Sequence, residues 1–267
     1  MLVILCALTS YLVPETAWIR HVMRFQSQVL FRHDWSEADS LRPYLTHVAQ
    51  IPRIPKYFYK PLHGFSEGGV CREQALQQSC SMRYIMHMFQ CNPHYRETSY
   101  ASILSTLQIS DLAIDIGCGT GDSTQALFDN VPEDVRVYGV DLSRSMTKLA
   151  KRRTNLSYVT ADAAFLPFAN NSAGIITAFA LFHEMPRSYS RKVIKECGRV
   201  IKSGGYLVIW DQNPELISPQ ASSSVPIEPF LESYKKMNIT LEAQLAGFDS
   251  VYVKTNRFMR AWICKKK

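Results

Sequence analysis

An apolar run ending in three closely spaced glycines constrains this chain more than any other stretch. Asp111 to Thr124 reads DLAIDIGCGTGDST. Leu112, Ala113, Ile114 and Ile116 lead into Gly117, Gly119 and Gly121, and polar residues able to start a helix follow. Such a run reads as a buried parallel strand that turns sharply. Glycine's missing side chain opens unusual dihedrals and lets backbone N–H groups come close to a ligand. Asp122 or Ser123 is expected to cap the next helix, whose N-terminus attracts polar or anionic groups.

Spacing separates the nucleotide sites that share this strand, turn and helix. The dinucleotide fingerprint is G-x-G-x-x-G/A; here the third glycine's place holds Asp122. The phosphate-cradling G-x-x-x-x-G-K-[ST] is absent, and no lysine follows the loop. A second strand-like run, VRVYGV, ends at Asp141. A carboxylate there can accept both hydroxyl protons of a ribose. The pattern favours an adenosine-type ligand without a pyrophosphate.

Together with four further blocks, the loop resembles the class I S-adenosylmethionine-dependent methyltransferases. IDIGCGTG matches that family's first motif and VYGVDLS its second. TADAAFLPF, with Asp162, is similar to the adenine-contacting third, and AFALFHEMP to the segment after strand four. GRVIKSGGYLVIWD resembles the following helix and fifth strand. Within the family the chain resembles the ubiquinone/menaquinone-biosynthesis type, which acts on small molecules. It departs from that type at the opening of strand four, where Ala173-Gly174 replaces Phe-Asp. The resemblance implies an α/β, Rossmann-like fold whose seven-stranded, mostly parallel sheet has the order 3-2-1-4-5-7-6. It implies a mainly helical N-terminal cover in residues 1–105 and the methyltransferase domain in 106–267. S-adenosyl-L-methionine is the implied cofactor, held by Asp115, Gly117, Cys118, Gly119, Gly121, Asp141, Leu142, Asp162 and Ala163. By the same resemblance Asp115 lies near the methionine moiety and Asp162 accepts from the adenine amino group.

The remaining pattern is read from the residues themselves. Ala126 to Phe128 belong to a crossover helix, and Ser143 caps a helix with Met146, Leu149 and Ala150 on one face. Ser157–Thr160 and Ala173–Ala180 are the third and fourth strands; the fourth is apolar on both faces and hence central. Tyr189 to Ile201 follows a helical period that Gly204-Gly205 is expected to stop, with Tyr206–Trp210 as fifth strand. Residues 211–226 read as a loop suited to a substrate flap. One helix is expected between Pro226 and Leu245. Ser250–Lys254 and Phe258–Cys264 close as an antiparallel pair. Upstream, Val70–Phe89 has helical spacing, Tyr100 to Leu107 suggests another helix, and residues 51–69 form an irregular aromatic loop.

A sulfonium methyl is already electrophilic, so the protein mainly aligns the partners and excludes water. A hydroxyl or acidic carbon acceptor also needs a base. His183, which follows the fourth strand, is the one histidine after the glycine loop. An imidazole is basic near neutral pH, so His183 is the candidate base, with Glu184 orienting or replacing it; Tyr206 and Asp211 are weaker candidates. Packing within the loop is the other reading of His183. Tyr57 and Tyr59 read as packing residues, and His63 as a surface or packing histidine.

Composition bounds the rest. The 267 residues, 46% hydrophobic, suffice for one large domain or a domain with a lid. The net charge of +7 is spread over both halves: ten Lys/Arg against seven Asp/Glu in residues 1–110, twenty against sixteen thereafter. That spread argues against nucleic acid as partner; a small-molecule substrate, aromatic or quinone-like, is what the resemblance implies. Seven cysteines, an odd number without C-x-x-C spacing, suit a reduced, intracellular and cytoplasmic setting without structural zinc; no metal is expected. MLVILCALTSYLV is too short for a membrane span and lacks the basic start of a secretory signal. Arg20, Arg24 and Arg32 leave organellar targeting open, and the oligomeric state is open too. The alternatives to an enzyme of this family are a non-catalytic binding or scaffold protein on the same fold, and a nicotinamide oxidoreductase, which the loop spacing disfavours.

Overall fold

Runs of β-branched and leucine side chains, each broken by glycine or a capping residue, set the strands of the sheet. In the computed structural model the described residues are 54–59, 94–216, 229–255 and 259–267. The strands are β1 (Leu112–Ile116), β2 (Arg136–Asp141), β3 (Ser157–Thr160) and β4 (Ala173–Phe179), then β5 (Ile201–Gln212), β6 (Phe248–Thr255) and β7 (Met259–Lys266). They form one seven-stranded sheet in the order β3-β2-β1-β4-β5-β7-β6, as the resemblance implied. The pairings from β3 to β5 are parallel, and β7 runs antiparallel to both β5 and β6. Every residue of β1 and of β4 is buried, as expected of strands covered on both faces. The order reverses between β1 and β4, and a crevice opens beyond strand ends at such a reversal.

Helices α1 (Tyr95–Leu104), α2 (Asp122–Phe128), α3 (Arg144–Thr154) and α4 (Arg187–Val200) supply the layers. Two shorter helices, α5 (Leu231–Lys235) and α6 (Ile239–Leu245), precede β6 where one helix was expected. They are separate because Asn238 starts α6 afresh, its side chain accepting from the N–H of Leu241 at 3.0 Å. Helix α1 lies on the N-terminal side of the expected 105/106 boundary, yet Tyr100, Ile103 and Leu104 are buried in one apolar cluster with Ala113, Val208 and Trp210. The Tyr100 and Trp210 rings stack at 4.4 Å and 13°. Burying two such side chains contributes roughly 1.5–3 kcal/mol each. Ser143 caps α3 as expected, and Met146, Leu149 and Ala150 are buried. The helix expected over Val70–Phe89, the 60–69 part of the aromatic loop with His63, and the 217–226 part of the flap lie outside the described residues.

One local expectation is corrected. Helix α4 ends at Val200, short of Gly204, because Ile201 is already extended and pairs with Ala173. The Lys266 ammonium satisfies the carbonyls left over there, donating to Gly198 O at 2.7 Å and Ile201 O at 2.6 Å. Close packing accounts for the glycine at 174, where the chain departs from Phe-Asp. A Cβ on Gly174 would stand 2.2 Å from the Ser110 carbonyl oxygen, so the backbone at the start of β4 admits no side chain. Gly174→Ala should therefore destabilise the fold by about 1–3 kcal/mol through forced backbone shifts. Urea unfolding of the two proteins reads this directly, and equal midpoints would refute the close approach.

Candidate active site

Backbone geometry at the tip of β1 builds the site. Gly117 (φ 67) and Gly121 (φ 95) occupy left-handed conformations. Both glycines are also hemmed in. A Cβ on Gly117 would lie 2.6 Å from Leu181 Cδ1, and one on Gly121 2.5 Å from the Tyr158 hydroxyl. Gly121 is itself the N-cap of α2, so neither Asp122 nor Ser123 caps the helix as expected. Asp122 instead pairs with Arg153 at 3.1 Å, and the Ser123 hydroxyl donates to Asp115 at 2.6 Å.

Asp115 is wholly buried beneath this turn and is not in the wall of the cavity. It accepts from Ser123, from Thr124 at 2.8 Å and from Thr177 at 3.1 Å, and the Tyr100 hydroxyl lies 3.5 Å away. Burial raises its pKa, which those hydroxyl donors oppose. Asp115 thus ties β1, β4 and the start of α2 together from below.

Asp141, at the tip of β2, holds the other side. Its Oδ2 accepts from the Gly119 N–H at 2.9 Å and its Oδ1 from the Ser143 N–H at 2.7 Å. Burial nonetheless pushes its pKa up to about 6, against those two donors. Each oxygen retains a further lone pair.

Above the turn lies a cavity. Gly117, Cys118, Asp141, Leu142, Asp162, Ala163 and Glu184 line it, which brings together seven of the eleven residues singled out from the sequence. Gly119 and Gly121 shape the turn but are not in the wall. The Asp162 carboxylate accepts from the Tyr189 hydroxyl and, at 2.9 Å, from the Ala164 N–H. A smaller cavity shares the Tyr57, Phe58, Leu181, Glu184 and Met185 walls and adds Pro229 and Phe230. Tyr57 stands edge-on to Phe230 at 5.8 Å and tilts over Tyr189 at 4.7 Å, so it both packs and lines the site. Tyr59 is exposed.

His183 is placed differently from Glu184. Both lie on the 3-10 turn Phe182–Glu184, but His183 is buried and absent from either cavity wall. Its Nδ1 is 2.6 Å from Oδ1 of Asp211, a wholly buried carboxylate on β5.

Sequence reasoning passed over Arg96. It projects from α1 into the cavity wall, 5.0 Å over the Phe179 ring and 3.9 Å from Asp122, and its buried Nε has no hydrogen-bond partner. A lone arginine ahead of the first strand carries no spacing signal, so only the fold places it. Among the described residues no cluster of His, Cys, Asp and Glu is arranged to hold a metal ion, and no helix is long and apolar enough to cross a membrane.

Comparison with known proteins matches residues 113–205 to the family described as a methyltransferase domain. Over 117 residues the chain is 32% identical to an uncharacterized protein of Methanocaldococcus jannaschii, covering 44% of this chain and 43% of that one. Over 112 residues it is 35% identical to a demethylmenaquinone methyltransferase of Staphylococcus epidermidis, covering 40% of this chain and 46% of the relative. These matches thus span somewhat under half of each relative's length. An S-adenosylmethionine-dependent methyltransferase of Aquifex aeolicus superposes with a TM-score of 0.52 at 21% identity, over 65% of this chain and 93% of that one; this is a likeness of fold.

The raised pKa of Asp141 has a measurable sign. Between the unfolded value of 3.8 and the folded value of about 6 the native state holds the proton more tightly. The resulting stabilisation is complete below the lower value and is lost as pH rises through the upper one. Chemical denaturation of the ligand-free protein should show about 2 kcal/mol less stability from this group at pH 7 than at pH 4. Asp141→Asn should remove that increment from the pH profile, and an unchanged profile would contradict it.

Proposed function

We propose, from the match of residues 113–205 to a methyltransferase domain and the motifs that resemble the class I S-adenosylmethionine-dependent kind, that this chain binds S-adenosyl-L-methionine and methylates a small molecule. The single observation that carries the reading is one cavity at the β1/β4 reversal, walled by the glycine turn, Asp141 and Asp162. The residues suit that cofactor. Asp141, already gripped by two N–H groups, has lone pairs left for a ribose diol. Asp162 and the Ala163 backbone suit an adenine edge, and the orphaned Nε of Arg96 suits the carboxylate of the amino-acid end. When bound, the cofactor supplies an electrophilic methyl group.

The chain's own residues then position an acceptor and manage its proton. The acceptor is an aromatic or quinone-like molecule in this reading, supported by the ring-walled smaller cavity and by the relative named for demethylmenaquinone. Tyr57, Phe58 and Phe230 offer ring surfaces that hold a flat molecule and exclude water. Glu184, shared by both cavities, takes the proton that a hydroxyl or acidic ring carbon releases.

Titration calorimetry tests the cofactor. Asp141→Ala should weaken S-adenosylmethionine and adenosine alike by about 1.5–3 kcal/mol. Arg96→Met should weaken S-adenosylmethionine about tenfold and leave adenosine, which lacks the carboxylate, unchanged. No binding by the wild type at tens of micromolar would favour a non-catalytic scaffold. A labelled-methyl screen of small molecules identifies the acceptor. With it, Glu184→Gln should lower kcat about hundredfold or more at near-constant cofactor affinity; normal turnover would remove Glu184 from proton transfer.

A further inference from the structure

We propose that His183 and Asp211 form a positioning latch: a buried ion-assisted clasp that fixes the turn after β4 and so the wall of the active-site cavity. The chain leaves β4 under strain. Ala180 adopts φ 54, a left-handed conformation costly for a residue with a Cβ. Its N–H is held by the Trp210 carbonyl at 2.7 Å, and the next residue on β5 is Asp211. The Asp211 carboxylate collects donors from that turn. Its Oδ2 accepts from the N–H of Phe182 at 2.7 Å and of His183 at 3.3 Å; its Oδ1 accepts from His183 Nδ1 at 2.6 Å and from the Gln212 N–H at 2.7 Å. A wholly buried carboxylate with four N–H donors is satisfied only while the turn keeps this shape.

The turn matters because of what flanks the clasp. Leu181, Glu184 and Met185 line both cavities, while Phe182 and His183 between them point into protein. Leu181 also fills the space that a side chain on Gly117 would take, so the clasp on β5 reaches the glycine turn on β1 through a single leucine. The His183 ring meets Tyr234 of α5 edge-on at 6.3 Å, which seats the clasp against that helix. In this arrangement Nδ1–H is the working end of the imidazole. A general base acting on a substrate has to face the cavity, and the ring is not in its wall.

The clasp has a chemical test, because an asparagine amide can place an N–H near Nδ1 while a glutamine amide reaches too far. In the 267-residue chain, S-adenosylhomocysteine is the calorimetric probe, and its use rests on the methyltransferase reading. His183→Asn should bind within about threefold of wild type. His183→Ala and His183→Gln should lose about tenfold by leaving the turn's competent shape only partly populated. Asp211→Asn, which cannot accept from all four donors, should lose more. A second readout is free of that reading. Nitrogen-15 spectra of the ligand-free protein should show His183 protonated at Nδ1, and Asp211→Asn should abolish that hydrogen-bonded signature. Probe binding that fails in the wild type while the signature is present would sink the methyltransferase reading and keep the latch. Full binding by His183→Ala, equal loss in His183→Asn and His183→Ala, or an unprotonated Nδ1 would each overturn the latch.

Discussion

The hydrogen bond from the Gly119 N–H to Asp141 is the constraint from which the site follows. It joins the turn after β1 to the tip of β2, and the second Asp141 oxygen is pinned to Ser143 at the start of α3. Without that bond the glycine turn would have backbone donors and no fixed direction for them. With it, the crevice at the strand-order reversal acquires a defined floor. The arrangement costs the protein something: a carboxylate is held out of water with its pKa pushed up to about 6. Two backbone donors offset only part of that desolvation. The Asp141 carboxylate is partly buried, faces the cavity and keeps lone pairs able to accept further donors.

Three carboxylates divide the labour of holding strand tips in register. Asp115 works from beneath, Asp141 from the side, and Asp211 from β5 across the turn that closes the far wall. Each accepts several donors, so none is a lone buried charge. The local strain is distributed around the same crevice, with left-handed Gly117 and Gly121 on one side and Ala180 on the other. Strain of this sort persists where surrounding bonds over-determine the backbone, and both turns are held by bonds from a neighbouring strand tip.

Much of this was legible in the residues. The three-glycine turn, the carboxylate at the tip of β2, the Ser143 cap and the closing hairpin are local signals with short-range causes, and they appear where the pattern put them. Less legible was anything decided by packing between distant segments. Gly204-Gly205 looked like a helix stop, but the helix ends earlier, where Ile201 pairs with Ala173 and Lys266, 68 residues beyond Gly198, takes up the freed carbonyls. Arg96 enters the cavity because α1 packs against the sheet, and no spacing rule announces that. The neighbours His183 and Glu184 read alike in sequence. In the fold a tight turn sends them to opposite sides, one to a buried carboxylate and one to the cavity.

The charge pattern of the cavity then narrows what can occupy it. Asp141, Asp162 and Glu184 line the cavity together with one arginine, Arg96, which sits 3.9 Å from Asp122. The carboxylates feel one another: Glu184 and Asp115 both act to raise the pKa of Asp141, though less than burial does. An anion placed among them would add to that repulsion. A molecule with a positive centre in its middle, hydroxyls toward Asp141 and a carboxylate toward Arg96 would relieve it. Charges about 4 Å apart near a protein surface interact by several kcal/mol, enough to decide between ligands of similar shape. The charged groups in the wall therefore bear on what the cavity can hold, as its size does.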